Sequence, residues 1–495
     1  MGTKIIILYF CVQISMMKTQ RTTLVLFCLL AVLAFAPMLQ EHLGWPRVKP
    51  LAGVLKEAPF PELNRETYRN GQFQRKLENY LQHHYGYRPV TVRLYNQYLW
   101  DFYKKTFTKT SITEGKEGWL YEPWFVEDHY HGGTYTQIKD SLSLVKELDR
   151  EAYRIYQLQH ILEQYGITLF VCQAPGKDLV YPEYLPENTV TNRPKKVSAR
   201  EVYEEQFNRL GVNHVNIETW FLQMKDTVDF LLFPQKGTHW SNIAAAYAAD
   251  SLFRYLEARQ GIRMNRLVIG EPTIGAFKKP DYDLEELYNL CRPLKKLPQH
   301  YATLNVREVA GAVKPKMITV GDSYFWNICA HVPMDSLFNA YPYWYYNSTI
   351  YFDSTHNNTK ELNLANEILS ADAVMLIYCS TQLYKMSNDF CRQALIALCY
   401  DDDELNEIKA EVANKIKKNK NWLEQLEQRA EKRHIPMDTA IMHEASFVVT
   451  HNIETFLPAF KDSIPAKRSR EAKRHLPQPS EPIDTSLQKP TWINE

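Results

Sequence analysis

Apolar residues recur along this chain in two periods, and the alternation between them predicts an α/β fold. Around residues 141–165 the spacing is helical: Leu148, Ala152, Ile155 and Leu162 fall on one face, and Gly166 stops the helix. The run Ile167-Thr-Leu-Phe-Val-Cys172 then reads as a strand buried on both sides, breaking into Gln173-Ala-Pro-Gly-Lys-Asp178. Residues 196–210 repeat the grammar as a helix capped by Gly211, followed by a short strand over 212–217. An apolar stretch at 229–234 loops through Gln235-Lys-Gly-Thr-His-Trp240, and Ser241 caps an alanine-rich helix over 243–259. Strand character returns at 317–320, 348–352 and 373–379, with a helical segment at 359–369. Helix and strand alternating in this way imply βα units and a mainly parallel sheet.

The flanks read differently. Lys18 and Arg21 precede an uncharged, mostly apolar run over 22–39, near the lower limit of length for a helix that crosses a bilayer. Ala34-Phe-Ala36 resembles a cleavage site, but Pro37 would follow the cut, so an uncleaved anchor over residues 1–40 is the expectation. A shorter apolar stretch, 5–17, lies ahead of it, and Met17-Lys-Thr-Gln-Arg reads as a fresh start of such a segment. A spacer and an aromatic helical arm fill 41–114, with Tyr80, Leu81, Tyr85, Tyr95, Leu99 and Phe102 at helical intervals. The main domain is expected over 115–400. A charged helical extension over 401–463 follows, beginning Asp401-Asp-Asp-Glu, and a tail over 464–495 rich in Pro, Lys, Arg and Ser reads as disordered.

Composition narrows the function classes. The 495 residues are 45% apolar and 23% charged, enough for one large core with appendages. A net charge of +1 gives no electrostatic footing for nucleic acid. The eight cysteines show no CxxC or Cys/His spacing, and no glycine-rich phosphate loop appears. No metal or other cofactor is called for. The 31 tyrosines, 10 tryptophans and 22 phenylalanines suit core packing, and some suit sugar stacking.

Candidate chemistry sits at the end of one strand. Met317-Ile-Thr-Val runs into Gly321-Asp322-Ser323, and an α/β sheet places its ligands at such carboxyl edges. A serine hydroxyl is a weak nucleophile until a base takes its proton, and His239, in the loop before a helix, is the candidate base.

Together these residues resemble the SGNH/GDSL-like domain of the alginate O-acetyltransferase family (AlgJ/AlgX type). The resemblance rests on Gly321-Asp322-Ser323, Thr238-His239-Trp240, Gly115-Lys-Glu-Gly-Trp-Leu-Tyr121 and Ala174-Pro-Gly-Lys177 through Tyr181-Pro182. The histidine precedes the serine, the reverse of ordinary SGNH esterases. The resemblance implies a three-layer α/β domain in which Ser323 attacks an acetyl donor with His239 as base. It further implies transfer of the acetyl group to a polysaccharide hydroxyl. It also implies a separate multi-pass membrane protein as donor, and an inner-membrane anchor holding the domain in the periplasm or envelope. Lys177, Thr238, Trp240, Asp322 and Tyr324 are its supporting or substrate-binding positions, Asp322 fixing its own turn.

One departure matters. The family places an aspartate two residues before the histidine, where this chain has Gly237. Three readings stay open: another acid, Asp281 or Asp283, orients the imidazole; a backbone carbonyl does so in a Ser–His dyad; or the site is degenerate. The alternative functions are a carbohydrate acetyl esterase with the same Ser/His pair, where water takes the acetyl group, and, on the strength of Gly237, a decayed polysaccharide-binding or assembly protein.

Overall fold

The structure is a computed structural model that describes residues 2–53, 58–106, 112–132, 140–188 and 195–456. The expected disordered tail lies outside the described residues. The chain divides into two compact units, one of Met1–Ser111 with Leu284–Lys295 and the other of Ile112–Asp283 with Lys296–Glu495.

The first unit is helical. The two apolar N-terminal stretches join in a single helix, Gly2–Leu43. Its Thr22–Leu43 portion is long and apolar enough to cross a membrane, a test that secretion signals near an N-terminus also pass. The arm forms helices Arg65–Arg69, Gln72–His83 and Arg88–Tyr103. Within this unit Tyr87 donates its N–H to Gln40 Oε1 at 2.9 Å, and the buried Asn96 Nδ2 donates to the Tyr288 carbonyl at 2.9 Å. Most large apolar side chains of the arm, among them Leu81, Leu94, Tyr98 and Phe102, remain exposed.

The second unit is a three-layer α/β domain. In chain order its main elements are α1 (Ser141–Glu163), β1 (Thr168–Ala174), α2 (Ala199–Leu210), β2 (His214–Asn216), α3 (Ile217–Met224) and α4 (Asn242–Gln260). They continue as β3 (Met317–Gly321), α5 (Tyr324–His331), β4 (Tyr343–Tyr345), β5 (Thr349–Tyr351), β6 (Ala373–Cys379) and α6 (Phe390–Cys399). The sheet order is β5–β4–β3–β6–β1–β2, parallel throughout except where β5 returns antiparallel to β4.

Alternation along the central strands explains the layers. Leu169, Val171, Val374, Leu376 and Tyr378 face one core with the apolar sides of α1, α2 and α6. Phe170, Cys172, Met375, Ile377 and Cys379 face the other, against α3, α4 and α5. The alanines of α4 (Ala244, Ala245, Ala248, Ala249) are fully buried there and let its backbone approach closely. The charged extension is three helices, Asp402–Lys418, Lys420–Arg433 and Met437–His451, the first opened by a capping box of Asp401 and Glu404. Its Val412, Ile416, Leu426, Ala445 and Val449 join the α1 core, so these helices extend that layer.

Parallel pairing aligns the strand ends. Ile377 of β6 lies beside Gly321 of β3, and Cys379 beside Ala174 of β1. The loops after β1, β3 and β6 therefore leave the same edge of the sheet.

Candidate active site

The serine turn is built for close approach. A Cβ on Gly321 would stand 2.3 Å from the Ile377 carbonyl oxygen of β6, so only glycine lets the two strands meet there. Asp322 then folds back. Its Oδ1 accepts the Tyr324 N–H at 3.0 Å, its Oδ2 accepts the Cys379 N–H at 2.7 Å, and its carbonyl accepts the Tyr343 hydroxyl. The expectation that Asp322 fixes its own turn matches this geometry. Burial nonetheless pushes the Asp322 pKa up. Ser323 follows in right-handed conformation as the residue opening α5, half-buried. Among the described residues its backbone N–H meets no acceptor.

The histidine loop is held by a buried lysine. Lys177 Nζ donates to the carbonyls of Leu120 at 2.8 Å, Gln235 at 3.0 Å and Gly237 at 2.8 Å, using all three of its donors. Its side chain lies against the rings of Trp119 and Tyr121. Burial pulls its pKa well below that of a free lysine. Lys177 is 1% exposed and does not line the cavity, so the substrate-binding role expected of it gives way to a clamp on the loop. Lys177→Met is expected to remove all three bonds, leaving the Gln235 carbonyl only the Leu120 N–H, and to lower stability by about 3 kcal/mol, read from the denaturant midpoint.

Two further bonds lace the histidine loop to the serine helix. Trp240 Nε1 donates to the Tyr324 carbonyl at 3.1 Å, and Asn327 Nδ2 donates to the Trp240 carbonyl at 2.8 Å. Trp240 is fully buried, which makes it a core residue with no face for a sugar. The Tyr324 ring is buried beside the His239 ring, their centroids 5.3 Å apart.

These constraints bring the distant loops together. His239 Nε2 is 2.8 Å from Ser323 Oγ, and His239 Nδ1 is 2.9 Å from Asp283 Oδ2. The other Asp283 oxygen, Oδ1, accepts the Thr238 N–H at 2.8 Å, fixing the carboxylate against the loop. A carboxylate on Nδ1 assigns the proton to that nitrogen, so Nε2 is the acceptor of the serine hydroxyl. Burial depresses the imidazole pKa, but the Asp283 hydrogen bond and the charges of Asp283, Glu122 and Asp322 outweigh it, and the net shift is upward.

The missing aspartate at 237 has a spatial explanation. A Cβ on Gly237 would lie 2.5 Å from the Pro280 carbonyl oxygen and 3.1 Å from the Asp281 carbonyl carbon. The segment that carries Asp283 thus occupies the space a side chain at 237 would need. Asp281 does not orient the imidazole: its Oδ2 accepts the Lys278 N–H at 2.9 Å and the Tyr301 hydroxyl. Gly237→Asp is expected to push this segment away. The loss is about 1–3 kcal/mol of stability, with slower Ser323 acylation rather than faster, checked by thermal unfolding and acylation kinetics.

Sequence reasoning missed Glu122. Its Oε2 accepts the Thr238 hydroxyl at 2.9 Å, and burial pushes its pKa up to about 7. The only trace in the sequence was its place directly after the buried Trp119-Leu-Tyr121 run.

A cavity of about 500 Å³ opens over the pair, lined by Ser323, His239, Glu122, Trp124, Tyr345, Tyr346, Gln382, Lys385 and Asn388. Part of its wall is strained backbone. Tyr346 and Asn347 have φ of 48° and 49°, Ser387, Asn388 and Asp389 have 60°, 45° and 71°, and Asn347 Nδ2 ties the two turns through the Asn388 carbonyl at 3.1 Å. Such outliers cluster at functional sites, where the surroundings hold them.

Residues 112–324, which contain Glu122, Lys177, His239, Asp283 and Ser323, match the family model described as the SGNH hydrolase-like domain of the acetyltransferase AlgX. Over this stretch the chain is similar to an SGNH hydrolase-like domain. Among solved structures it is similar to the O-acetyltransferase domain of Pseudomonas putida AlgJ, at 17% identity over 55% of this chain and 92% of that one, with a TM-score of 0.36. It is similar to Pseudomonas aeruginosa AlgX at 16% identity over 57% and 66%, with a TM-score of 0.36. Bacillus cereus PatB1 stands at 12% identity over 57% and 98%, with a TM-score of 0.35. No curated protein matches the chain. The strand Ala373–Cys379, whose Cys379 N–H holds Asp322, lies beyond the matched stretch, so the sheet that holds the site extends past it.

Proposed function

We propose that this protein is an O-acetyltransferase that carries an acetyl group on Ser323 and passes it to hydroxyls of an exported or cell-surface polysaccharide. The observation behind the reading is the unbroken hydrogen-bond chain from Asp283 through His239 to Ser323, opening on a cavity. A degenerate site has no reason to keep such a chain aligned.

In the first half-reaction Ser323 Oγ attacks the acetyl carbonyl as His239 Nε2 takes its proton, and Asp283 stabilises the imidazolium. The Ser323 backbone N–H, at the start of α5, is a candidate donor for the oxyanion. Collapse returns the proton to the leaving group and leaves acetyl-Ser323. In the second half-reaction a sugar hydroxyl attacks that ester, His239 again takes the proton, and Ser323 leaves with it. The rings of Trp124, Tyr345 and Tyr346 give the cavity faces on which a sugar can stack. In this reading the Thr22–Leu43 helix is an inner-membrane anchor that holds the domain in the periplasm, beside a multi-pass membrane protein that supplies the acetyl group.

The test is transfer against hydrolysis. With p-nitrophenyl acetate as donor, the protein should form acetyl-Ser323 and pass the group to an oligosaccharide in preference to water; free acetate as sole product would favour an esterase. The reaction should also depend on pH with a defined sign. His239 works as a base only when neutral, and its pKa lies above the usual histidine value, so kcat/KM should fall as pH drops through a midpoint above that value.

A further inference from the structure

The relay from Asp283 to Ser323 does not use the second carboxylate beside it. Glu122 lines the same cavity as Ser323 and His239, and its carboxyl is hydrogen-bonded by the Thr238 hydroxyl, at 2.9 Å, and by the Trp124 side chain. Thr238 is thereby gripped twice: its N–H by Asp283 Oδ1 and its hydroxyl by Glu122. His239 is the next residue, so one carboxylate touches its ring and another holds the residue before it.

We propose that Glu122 is a positioning residue for His239, on the acyl-transfer reading given above: through Thr238 it fixes the loop, and by its charge it stabilises the imidazolium formed as a hydroxyl loses its proton. No proton passes to Glu122 in this scheme. The hydroxyl proton moves to His239 Nε2, the imidazolium gains one positive charge, the oxyanion one negative charge, and Glu122 and Asp283 remain ionised.

The groups around Glu122 pull in both directions. Burial and the Asp283 charge oppose its ionisation, while Thr238, His239 and Trp124 favour it. The Lys177 ammonium and the Tyr324 phenol also feel its charge. Because it titrates at about 7 and raises the His239 pKa, the two groups titrate as a coupled pair. The working state has Glu122 ionised and His239 neutral, both reached by losing protons. The Glu122 charge favours the protonated imidazole, so it holds the acid limb of kcat/KM at higher pH than His239 would show without it. Removing the Glu122 charge takes away one cause of the raised His239 pKa, so the limb moves to lower pH.

The experiment compares the full-length wild type with Glu122→Gln, which keeps the shape and can still accept from Thr238, and with Thr238→Val. One readout is the pH profile of Ser323 acylation by p-nitrophenyl acetate. The other is the nuclear magnetic resonance titration of the His239 ring with isotope-labelled histidine in a Ser323→Ala background, which needs no turnover. Glu122→Gln should slow acylation about tenfold and shift both the acid limb and the ring titration to lower pH. Thr238→Val should slow acylation while leaving the acid limb and the ring titration near their wild-type positions, since it removes the link and leaves the charge. A His239 titration and an acid limb unchanged in Glu122→Gln would overturn the proposal, whatever happens to the rate. If wild-type Ser323 takes no acetyl group yet the ring titration shifts in Glu122→Gln, the coupling stands and the acyl-transfer reading falls.

Discussion

Asp283→Asn is expected to slow acylation of Ser323 about ten-thousand-fold, the cost that losing the triad carboxylate carries in serine hydrolases, while the protein stays folded. The reason is the tautomer. Asp283 Oδ2 accepts the proton on His239 Nδ1 and leaves Nε2 free for the serine hydroxyl. An asparagine can turn its amide N–H toward Nδ1, which forces the ring proton onto Nε2 and blocks the base. The imidazolium also loses its nearest counter-charge, so whatever activity remains should have an acid limb at lower pH. Asp281→Asn is the control. Asp281 meets Lys278 and Tyr301, not the imidazole, and its replacement should change the rate by no more than about tenfold, through the loop alone. Single-turnover acylation measures both rates, and unfolding transitions confirm that the variants are folded.

Ser323→Ala should have the largest effect, about a million-fold in acetyl transfer, with no covalent intermediate. The change removes one oxygen from a half-buried position and leaves the Asp322 turn, whose bonds run to Tyr324, Cys379 and Tyr343, untouched. Oligosaccharide binding should therefore survive, measured by calorimetry beside the transfer assay. Binding without transfer would place the glycan contacts in the cavity wall and the chemistry in the hydroxyl. Transfer that survives the substitution would move the nucleophile elsewhere.

The elements that were legible in the sequence are those whose own residues settle them. The strand Ala373–Cys379 is apolar on both faces and was bounded without error, and the helix Ser141–Glu163 showed its stripe. Ser323 and His239 stood out because each sits in a polar loop next to a strongly patterned element. The acid that meets His239 was narrowed to Asp281 or Asp283 and no further. Two residues apart in one loop, their directions depend on the packing of Pro280 against Gly237, a contact between segments far apart in sequence. The clamp made by Lys177 was not legible, because nothing local says that three carbonyls surround it. The strand Tyr343–Tyr345 and the antiparallel pairs Arg266–Ile269 with Leu304–Arg307 and Thr273–Gly275 with Gln299–Tyr301 were not foreseen. Strands this short exist through their partners, and their own residues carry no pattern long enough to read.

Mass-spectrometric mapping of the wild-type protein after brief exposure to p-nitrophenyl acetate tests the central claim most directly, because it asks whether the imidazole makes one hydroxyl nucleophilic. The account predicts a single acetyl group on Ser323, formed faster as pH rises and absent from Asp283→Asn on the same timescale. Acetyl groups scattered over surface lysines, with Ser323 unmodified, would contradict it.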